Sequence, residues 1–396
     1  MKNVHETLLC PSCGSERITI FHDIEDVPVH SCLLMQSKEQ ALKYPRGDIR
    51  LGFCEMCGFI YNVYFNPGVH EYSSSYEETQ GFSPRFNEFL KSLAMGLVEK
   101  YNLRNKKILE IGCGKGEFLV LMCEIGNNYG IGIDPGSIPE RIDSEAVKRI
   151  EFIQDLYSTK YADINADMVC CRHTLEHIFE TRKFMQLVRD SIGSRTECIV
   201  FFEIPDVGRV LREGGFWDIY YEHCSYFSPG SLTRLFRQTG FEVIDMSLDY
   251  DDQYILIDAL PTDKISKDSS ELEKDIVELK EDVKVFQDKF QEQSGKWKTL
   301  FAESSSRNQK VVLWGSGSKA VAFLTTLGLY EEVEYVVDIN PYRNGKYMPG
   351  TGQEIVRPEF MAEYKPDIIV VMNPIYCDEI GKQLESLGIQ PELLAV

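Results

Sequence analysis

Two Cys-x-x-Cys-Gly turns near the start of this 396-residue chain constrain its fold more than any other feature. They place Cys10 and Cys13 on one tight turn and Cys54 and Cys57 on another. The glycine after each second cysteine can adopt the positive φ that directs backbone N–H groups toward sulfur. Four such sulfurs make a closed tetrahedral site. The pattern therefore predicts a structural zinc module over residues 1–75.

Other interpretations of the cysteines explain less of the pattern. A thioredoxin-like redox role needs only one Cys-x-x-Cys, and four buried thiols give no reason for a repeated turn. The loop between the two pairs is nevertheless longer than the common spacing of zinc sites. The remaining cysteines are scattered, and several lie inside apolar strands, as Cys170, Cys171 and Cys198 do. This usage is typical of reduced thiols in a reducing compartment.

The charge balance and the absence of targeting signals limit the classes of function. The chain has 62 acidic and 42 basic residues, a net charge of −20, which argues against a surface that neutralises nucleic-acid phosphates. Residues 1–10 contain charge and histidine where a secretory signal needs an apolar stretch, and no apolar run reaches the length of a membrane span. We therefore expect a cytoplasmic protein that binds neither nucleic acid nor membrane.

The central part of the chain alternates strands with helices. A helical pattern from Pro84 to Tyr101 precedes the first apolar strand. The predicted strands are Lys107–Ile111, Gly130–Asp134, Ile150–Asp155, Asp167–Cys171 and Glu197–Phe202. This alternation predicts an α/β domain with a mostly parallel, doubly wound sheet over residues 76–262.

A change of composition separates this domain from the C-terminal part of the chain. Residues 266–295 are rich in Glu, Asp, Lys and Gln and carry apolar residues at helical spacing, namely Leu272, Ile276, Leu279, Val283, Phe286 and Phe290. We predict a long amphipathic linker helix within residues 263–305, which packs on its own chain or forms an intermolecular coiled coil. Beyond it, strands at Lys310–Trp314, Val333–Asp338 and Asp367–Met372 predict a smaller Rossmann-like α/β domain over residues 306–396.

A glycine-rich turn follows the first strand of the central sheet, as Glu110-Ile-Gly112-Cys-Gly114-Lys-Gly116. Its spacing differs from the G-x-G-x-x-G of dinucleotide sites, and it lacks the GK[ST] of a phosphate loop. Asp134 closes the next strand, where an acid can bind two ribose hydroxyls, and Asp155 after the third strand is placed to meet an adenine amino group. The pattern favours a nucleoside without a pyrophosphate over NAD.

This part of the chain, from about Asn105 to Phe241, resembles class I S-adenosylmethionine-dependent methyltransferases. Their motif reads E-x-G-x-G-x-G, with an acid closing the next strand. The resemblance implies that S-adenosylmethionine is the cofactor. The predicted cofactor-binding residues are Glu110, Gly112, Gly114, Gly116, Asp134, Asp155 and His173.

Two polar clusters follow later strands of the same sheet. His173-Thr-Leu-Glu176-His177 comes after the fourth strand, and the segment Trp217 to Ser228, which includes His223, comes after the fifth. Ligands bind open α/β sheets at the carboxyl ends of strands, and histidine exchanges protons near neutral pH. The two clusters together predict a catalytic site beside the cofactor.

The second cluster resembles the Y-x-E-H-x-S-Y-F-S stretch of sugar C-methyltransferases that act on nucleotide-linked keto-deoxysugars. That family also has an N-terminal zinc module, a central methyltransferase domain and a C-terminal Rossmann-like domain. Its C-terminal pattern matches Gly315 to Lys319, Val336 to Pro341 and Gly345 to Thr351 here. The resemblance covers nearly the whole chain and implies a small-molecule acceptor, in the form of a nucleotide-linked sugar.

The resemblance also implies roles for individual residues. By motif position, His223 is the general base, Tyr220 and Glu222 lie beside it, His177 faces the substrate, and Tyr76 closes the pocket. The implied reaction removes a proton next to a ketone, and the resulting enolate carbon attacks the methyl group of the cofactor. Such a step needs a base whose pKa lies near the working pH and stabilisation of the oxyanion.

One segment departs from the family. Where the sugar enzymes have a T-H-G-G-S-L-R-like sequence, this chain has Ser247-Leu-Asp-Tyr-Asp-Asp-Gln253, which is acidic and lacks glycine. Three functions therefore remain open. They are C-methylation of an activated sugar, O- or N-methylation of another carbohydrate or small precursor, and a non-catalytic zinc-ribbon interaction protein on a methyltransferase scaffold.

Overall fold

A computed structural model describes residues 8–69, 75–264 and 271–396. Within these residues the strands form three sheets, one for each predicted module. Residues 265–270, within the predicted linker helix, lie outside the described residues. No described helix has the length and apolar character needed to cross a membrane.

The N-terminal module is built on an antiparallel sheet with the order β1-β2-β3-β9. Its strands are β1 (Ile18–Pro28), β2 (Arg46–Cys54), β3 (Ile60–Asn62) and β9 (Ser225–Tyr226), and α1 is Lys38–Leu42. Gly14 and Gly58, with φ of 79° and 72°, close the two cysteine turns as predicted. The last strand comes from the part of the chain that follows His223, so this sheet joins the N-terminal module to the central domain.

The central sheet has seven strands in the order β10-β11-β8-β7-β4-β5-β6. They are β4 (Lys107–Ile111), β5 (Tyr129–Ile133), β6 (Ile150–Ile153), β7 (Met168–Arg172), β8 (Ile199–Pro205), β10 (Phe241–Asp249) and β11 (Tyr254–Pro261). The helices are α2 (Pro84–Lys100), α3 (Glu117–Gly126), α4 (Thr181–Ile192), α5 (Val207–Glu213) and α6 (Pro229–Gln238). The strands β4 to β8 are parallel, and only β11 runs against them. The predicted doubly wound sheet is confirmed.

The C-terminal sheet is parallel throughout and has the order β14-β13-β12-β15-β16. Its strands are β12 (Val311–Trp314), β13 (Tyr335–Val337), β14 (Glu354–Val356), β15 (Ile368–Val371) and β16 (Glu392–Ala395). The helices α8 (Ser318–Leu327), α9 (Met361–Tyr364) and α10 (Cys377–Ser386) follow strands of this sheet. The strand order reverses between β12 and β15, and such a reversal opens a ligand crevice at the carboxyl ends.

The linker helix α7 spans Ile276–Ser306. Leu279, Val283 and Phe286 are buried together with apolar residues of β1, β2 and α5. Trp297 and Phe301 enter the core of the C-terminal domain. Most of the predicted apolar stripe therefore packs within its own chain, and α7 connects the N-terminal module to the C-terminal domain. Leu272, predicted in the same stripe, precedes α7 and is exposed.

Candidate active site

A cavity of about 1060 Å³ lies where the three modules meet. The carboxyl ends of β4, β5 and β7 face it from the central sheet, and those of β12 and β15 face it from the C-terminal sheet. Cys32 and Phe65 contribute to its wall from the N-terminal module. Every predicted cofactor-binding residue except Gly116, and every predicted catalytic residue except Glu222, lines this cavity.

The glycine turn after β4 has the conformation that its sequence predicts. Gly112, Gly114 and Gly116 have φ of 71°, 52° and 93°. A Cβ atom on Gly112 would lie 1.9 Å from Thr174 Oγ1, so this position excludes any larger residue. Backbone at Gly112 and Gly114 therefore borders the cavity without side chains in between.

Two acids flank this turn. Asp134 Oδ2 accepts a hydrogen bond from Gly114 N at 3.0 Å, and Oδ1 accepts one from Gly136 N at 2.6 Å. Burial raises the pKa of Asp134. Glu110 is buried beneath the turn, and burial raises its pKa to about 8. Asp134 is thus fixed at the cavity wall, where its oxygens can still accept bonds from ribose hydroxyls.

Asp155 lies at the cavity wall but is engaged by its own loop. Its carboxylate accepts bonds from Leu156 N at 2.8 Å, Lys160 Nζ at 2.9 Å and Tyr161 Oη at 2.5 Å. These bonds hold its pKa at about 2. Contact of Asp155 with an adenine amino group stays a prediction.

His173 is held by two carboxylates at the end of β7. Its Nε2 lies 2.8 Å from Glu203 Oε1 and its Nδ1 lies 3.5 Å from Glu176 Oε1. Burial would lower the pKa of His173, but the two carboxylates outweigh it and raise the pKa to about 9. His173 is therefore an imidazolium at neutral pH, and it presents positive charge at the cavity wall.

This ion pair predicts a loss of stability at alkaline pH. His173 holds its proton more tightly in the folded chain, so its stabilisation is complete below the unfolded pKa of 6.5 and is lost by about pH 9. We expect the free energy of unfolding to fall by up to about 3 kcal/mol across this window. Urea unfolding at about pH 6 and about pH 9.5 measures the fall, and His173→Gln should remove most of it. An equal fall in the variant would contradict the assignment.

The predicted catalytic residues Tyr220, His177 and His223 form a compact group of rings. Tyr220 Oη lies 2.9 Å from His223 Nε2, and the rings of His177 and His223 are 4.8 Å apart between centroids. Burial and the neighbouring His177, His173 and Lys319 lower the pKa of His223 well below its usual value. His223 is therefore neutral at physiological pH, so its free nitrogen can accept a proton, although its pKa lies below the value near working pH that was expected of the base.

Glu222 points away from His223, although the two are adjacent in sequence. Its Oε1 lies 2.6 Å from His30 Nδ1, and its Oε2 accepts a hydrogen bond from Ser31 Oγ. Both partners belong to the N-terminal module. The backbone oxygen of Glu222 is 3.1 Å from His177 Nδ1. Glu222 thus contacts the catalytic histidines through the backbone, while its side chain lies in a separate buried network.

Tyr76 lies between the N-terminal module and the glycine turn at residues 112–116, which we call the cofactor turn. Its backbone oxygen accepts a hydrogen bond from Lys115 Nζ at 2.7 Å, and its ring lies 6.1 Å from that of His30. Tyr76 thus lines the cavity, and its role in closing the pocket stays a prediction.

The four cysteines of the predicted zinc site come together. Cys10 Sγ lies 3.6 Å from Cys57 Sγ, Cys13 Sγ lies 3.6 Å from Cys54 Sγ, and all four sulfurs are within 4.8 Å of one another. Sulfurs around a tetrahedral zinc ion with bonds of about 2.3 Å are about 3.8 Å apart. The cluster therefore fits the size and donor preference of zinc.

The C-terminal domain repeats the layout of the cofactor turn. Asp338, just after β13, accepts bonds from Ser316 N at 2.8 Å and Asn340 N at 2.8 Å. Asp134 makes the corresponding two bonds after β5. Lys319, at the start of α8, pairs with Asp218 at 2.8 Å beside the cavity. A second glycine-containing turn with an adjacent acid and a cation thus faces the same cavity.

Some residues at this cavity carry no recognisable sequence signal. Glu78 lies against the cofactor turn, with its Oε1 2.8 Å from the position of a Cβ on Gly114, and burial raises its pKa to about 7. Arg343 is buried and donates to Ser316 O and Glu77 O. Their positions depend on contacts between distant parts of the chain, which periodicity and motif spacing do not show.

The segment that departs from the sugar enzymes forms the turn between β10 and β11. Tyr250, Asp251 and Asp252 have φ of 54°, 61° and 55°. Gln253 exchanges two amide hydrogen bonds with Asn373 of the C-terminal domain, at 3.1 and 2.9 Å. The acidic side chains lie outside the cavity lining, and Gln253 and Tyr254 are the residues of this turn that reach it.

The fold and the site define a class I S-adenosylmethionine-dependent methyltransferase, which resembles the C-methyltransferases. Residues 85–246 match the family described as a methyltransferase domain, and residues 262–390 match the family described as a C-methyltransferase C-terminal domain. The expected enzyme class is confirmed, and the interpretation as a non-catalytic scaffold is not supported.

One curated relative and several solved structures are similar to parts of this chain. The chain is 24% identical over 316 residues to the C-methyltransferase NovU of Streptomyces niveus, which covers 74% of this chain and 72% of the relative. Among solved structures, magnesium protoporphyrin IX methyltransferase from Synechocystis PCC 6803 with bound SAH is 16% identical, with a TM-score of 0.34 over 45% of this chain and 84% of that one. The PH0226 protein from Pyrococcus horikoshii OT3 is 15% identical, with a TM-score of 0.36 over 47% of this chain and 95% of that one.

Proposed function

We propose that this enzyme methylates a carbon atom of an activated keto sugar through an enolate, with His223 as the general base. The observation that carries the proposal is a neutral, buried imidazole, bonded to Tyr220 and facing the cavity beside the cofactor turn. The similarity to a C-methyltransferase and to a C-methyltransferase C-terminal domain supports carbon as the methylated atom.

Formation of the enolate requires a base that is unprotonated at the working pH. Carbon next to a ketone is a weak acid, so its proton must be accepted as the enolate forms. His223 accepts it, and Tyr220, at 2.9 Å, carries a proton between the imidazole and the acceptor. S-adenosylmethionine, held at the turn after β4 and beside Asp134, would supply an electrophilic methyl group; transfer to carbon would break the sulfonium C–S bond and release S-adenosylhomocysteine. Exclusion of water from the buried cluster strengthens each of these interactions.

The developing oxyanion needs positive or hydrogen-bonding groups. His177 lies beside His223 in the cavity wall, and its Nδ1 is oriented by the backbone oxygen of Glu222. Lys319 faces the same cavity from the C-terminal domain. We assign His177 to the acceptor oxygen, because it is adjacent to the base and fixed in direction.

The second glycine-containing turn supports an acceptor that carries a nucleotide. Asp338 resembles Asp134 in its hydrogen bonds, and Lys319 and Arg343 supply positive charge near the turn. Backbone N–H groups at such turns and nearby cations suit a phosphate. In this proposal the central domain binds the methyl donor and the C-terminal domain binds the nucleotide of the acceptor.

We further propose that residues 1–75 form a structural zinc module through Cys10, Cys13, Cys54 and Cys57. We also propose that the predicted boundaries separate three functional parts: the zinc module, the methyltransferase domain and the Rossmann-like domain, with the linker helix between the last two. The sulfur geometry supports tetrahedral coordination. A closed set of four thiolates has no open position for substrate, so the metal has a structural role.

Incubation with S-adenosylmethionine and a panel of nucleotide-linked 4-keto-6-deoxysugars in deuterium oxide tests the function. We expect mass spectrometry to show methyl gain, with deuterium uptake next to the ketone. Methylation of hydroxyl acceptors, without exchange or methylation of any keto sugar, would replace this proposal with O-methylation. A parallel measurement of donor binding separates an inactive preparation from a wrong acceptor.

A further inference from the structure

The segment from Tyr220 to Tyr226, which we call the catalytic segment, is bonded to the N-terminal module on both sides of His223. It is also bonded to the central domain, at Glu176, His177 and Ile178. Tyr221 Oη accepts a bond from Asn66 N at 3.0 Å, and the backbone oxygen of Cys224 accepts one from Asn62 N at 2.9 Å. Beyond these contacts, β9 pairs with β3 in antiparallel register. Both sides of His223 are therefore fixed by the zinc module.

The strongest of these contacts is made by the carboxylate of Glu222. His30 Nδ1 lies 2.6 Å from one oxygen, and Ser31 Oγ donates to the other. Ser31 also lies 2.7 Å from Ser318 Oγ of the C-terminal domain. Glu222 and His30 are each no more than 1% exposed. A buried carboxylate that loses such partners is left uncompensated, which is strongly destabilising locally.

The protonation of Glu222 agrees with this arrangement. Burial alone would raise its pKa, but the hydrogen bonds from His30 and Ser31 bring the pKa below its usual value. Glu222 therefore stays a carboxylate, and a carboxylate forms the stronger, charge-assisted bond to histidine.

We propose that His30 is a positioning residue of the methyl transfer, which acts through the carboxylate of Glu222 to orient Tyr220 and His223. His30 contacts the catalytic segment from the N-terminal module, and it does not line the cavity. The zinc module is in this way part of the catalytic apparatus, besides being a folding unit. The inference rests on the proposed roles of Tyr220 and His223.

The chain supplies a matched control in the same module. His22 is also buried, at 2% exposure, and lies in β1. It packs against Phe286 and Phe290 of the linker helix, with ring centroids 5.1 and 4.8 Å away. His22→Ala removes a buried imidazole from the module without a direct contact to Glu222. The effect of His22→Ala on hydrogen exchange shows what the loss of any buried histidine from this module does.

Hydrogen–deuterium exchange of the full chain, loaded with zinc, tests whether His30 restrains the backbone of the catalytic segment. We expect His30→Ala to increase exchange in peptides that cover residues 218–226, and His22→Ala to leave them unchanged. His30→Asn keeps an N–H donor near the position of Nδ1 and should restore much of the protection. Unchanged exchange in His30→Ala, or an equal increase in His22→Ala, would overturn the proposal.

Kinetics test the consequence for catalysis. With an acceptor that is turned over in the keto-sugar panel, His30→Ala should lower kcat about 10- to 100-fold, because small misplacements of catalytic groups have effects of this size. The KM for S-adenosylmethionine should not change, and His30→Asn should recover part of kcat. An unaltered kcat would overturn the proposal. If no keto sugar is accepted, the proposed function fails, while the exchange measurement still decides the role of His30.

Discussion

His223→Asn is expected to lower the turnover number by about 10²- to 10⁴-fold, the usual contribution of a general base. Asparagine preserves polarity and approximate size but has no nitrogen that accepts a proton near neutral pH. Donor binding should persist, because the cofactor turn at Gly112 to Gly116 lies on other strands of the sheet. Calorimetric titration with S-adenosylmethionine and a methyl-transfer assay measure the two effects separately.

The pH dependence of the reaction is a second test of His223 as the general base. Because the pKa of His223 lies well below its usual value, wild-type kcat/KM should stay high as the pH falls through about 6.5, where an exposed histidine would be protonated. His22→Asn is the control, since it changes a buried histidine that lies outside the cavity lining. Full activity in His223→Asn would remove this residue from the role of base and leave Tyr220 as the nearest candidate.

Much of the central fold could be predicted because parallel strands buried on both faces have a clear sequence pattern. Ile108, Leu109 and Ile111 of β4 are all buried, and the turn at Gly112 follows at once. The glycines of this turn could also be predicted to approach a ligand closely, because positive φ leaves few alternatives to glycine, and their spacing favoured a nucleoside over NAD. Local rules of this kind were sufficient for both α/β domains and for the cysteine cluster.

The arrangement of the site depended on contacts that local rules do not determine. Glu222 was expected beside His223, but successive residues can face opposite directions, and its carboxylate bonds to His30, 192 positions earlier in the chain. The pairing of His30 with Glu222 is visible only in the folded chain, where the three modules pack together. The acidic segment from Asp249 to Asp252 forms the turn between β10 and β11, and the next residue, Gln253, contacts the C-terminal domain; nothing in the structure explains the acidic side chains.

The linker helix shows why amphipathic patterns alone left two alternatives. A stripe of apolar residues predicts that one helical face is covered, without specifying what covers it. Here Phe286 packs against the zinc module and Trp297 against the C-terminal domain. The covering surfaces are distant in sequence, so only the folded chain distinguishes an intramolecular contact from a coiled coil.

Cys54→Ser is expected to have the largest effect on folding. Zinc binding and folding share one free energy in such modules, about 10 to 16 kcal/mol for zinc-finger peptides, so the loss of one thiolate removes much of the stability. We expect zinc content by plasma mass spectrometry to fall, and the N-terminal module to unfold at a lower temperature. Because β3 pairs with β9 just after His223, turnover should fall together with zinc content.

Cys123→Ser separates the effect of the metal from that of burying a hydroxyl group. Cys123 is fully buried in the central domain, away from the cluster, so its substitution reports only the cost of replacing sulfur with oxygen. That cost should be about 1 to 3 kcal/mol, with zinc content unchanged. Chelation of zinc from the wild-type chain should reproduce the Cys54→Ser phenotype. A stable, zinc-free and active Cys54→Ser protein would contradict both the structural role of the metal and its link to the catalytic segment.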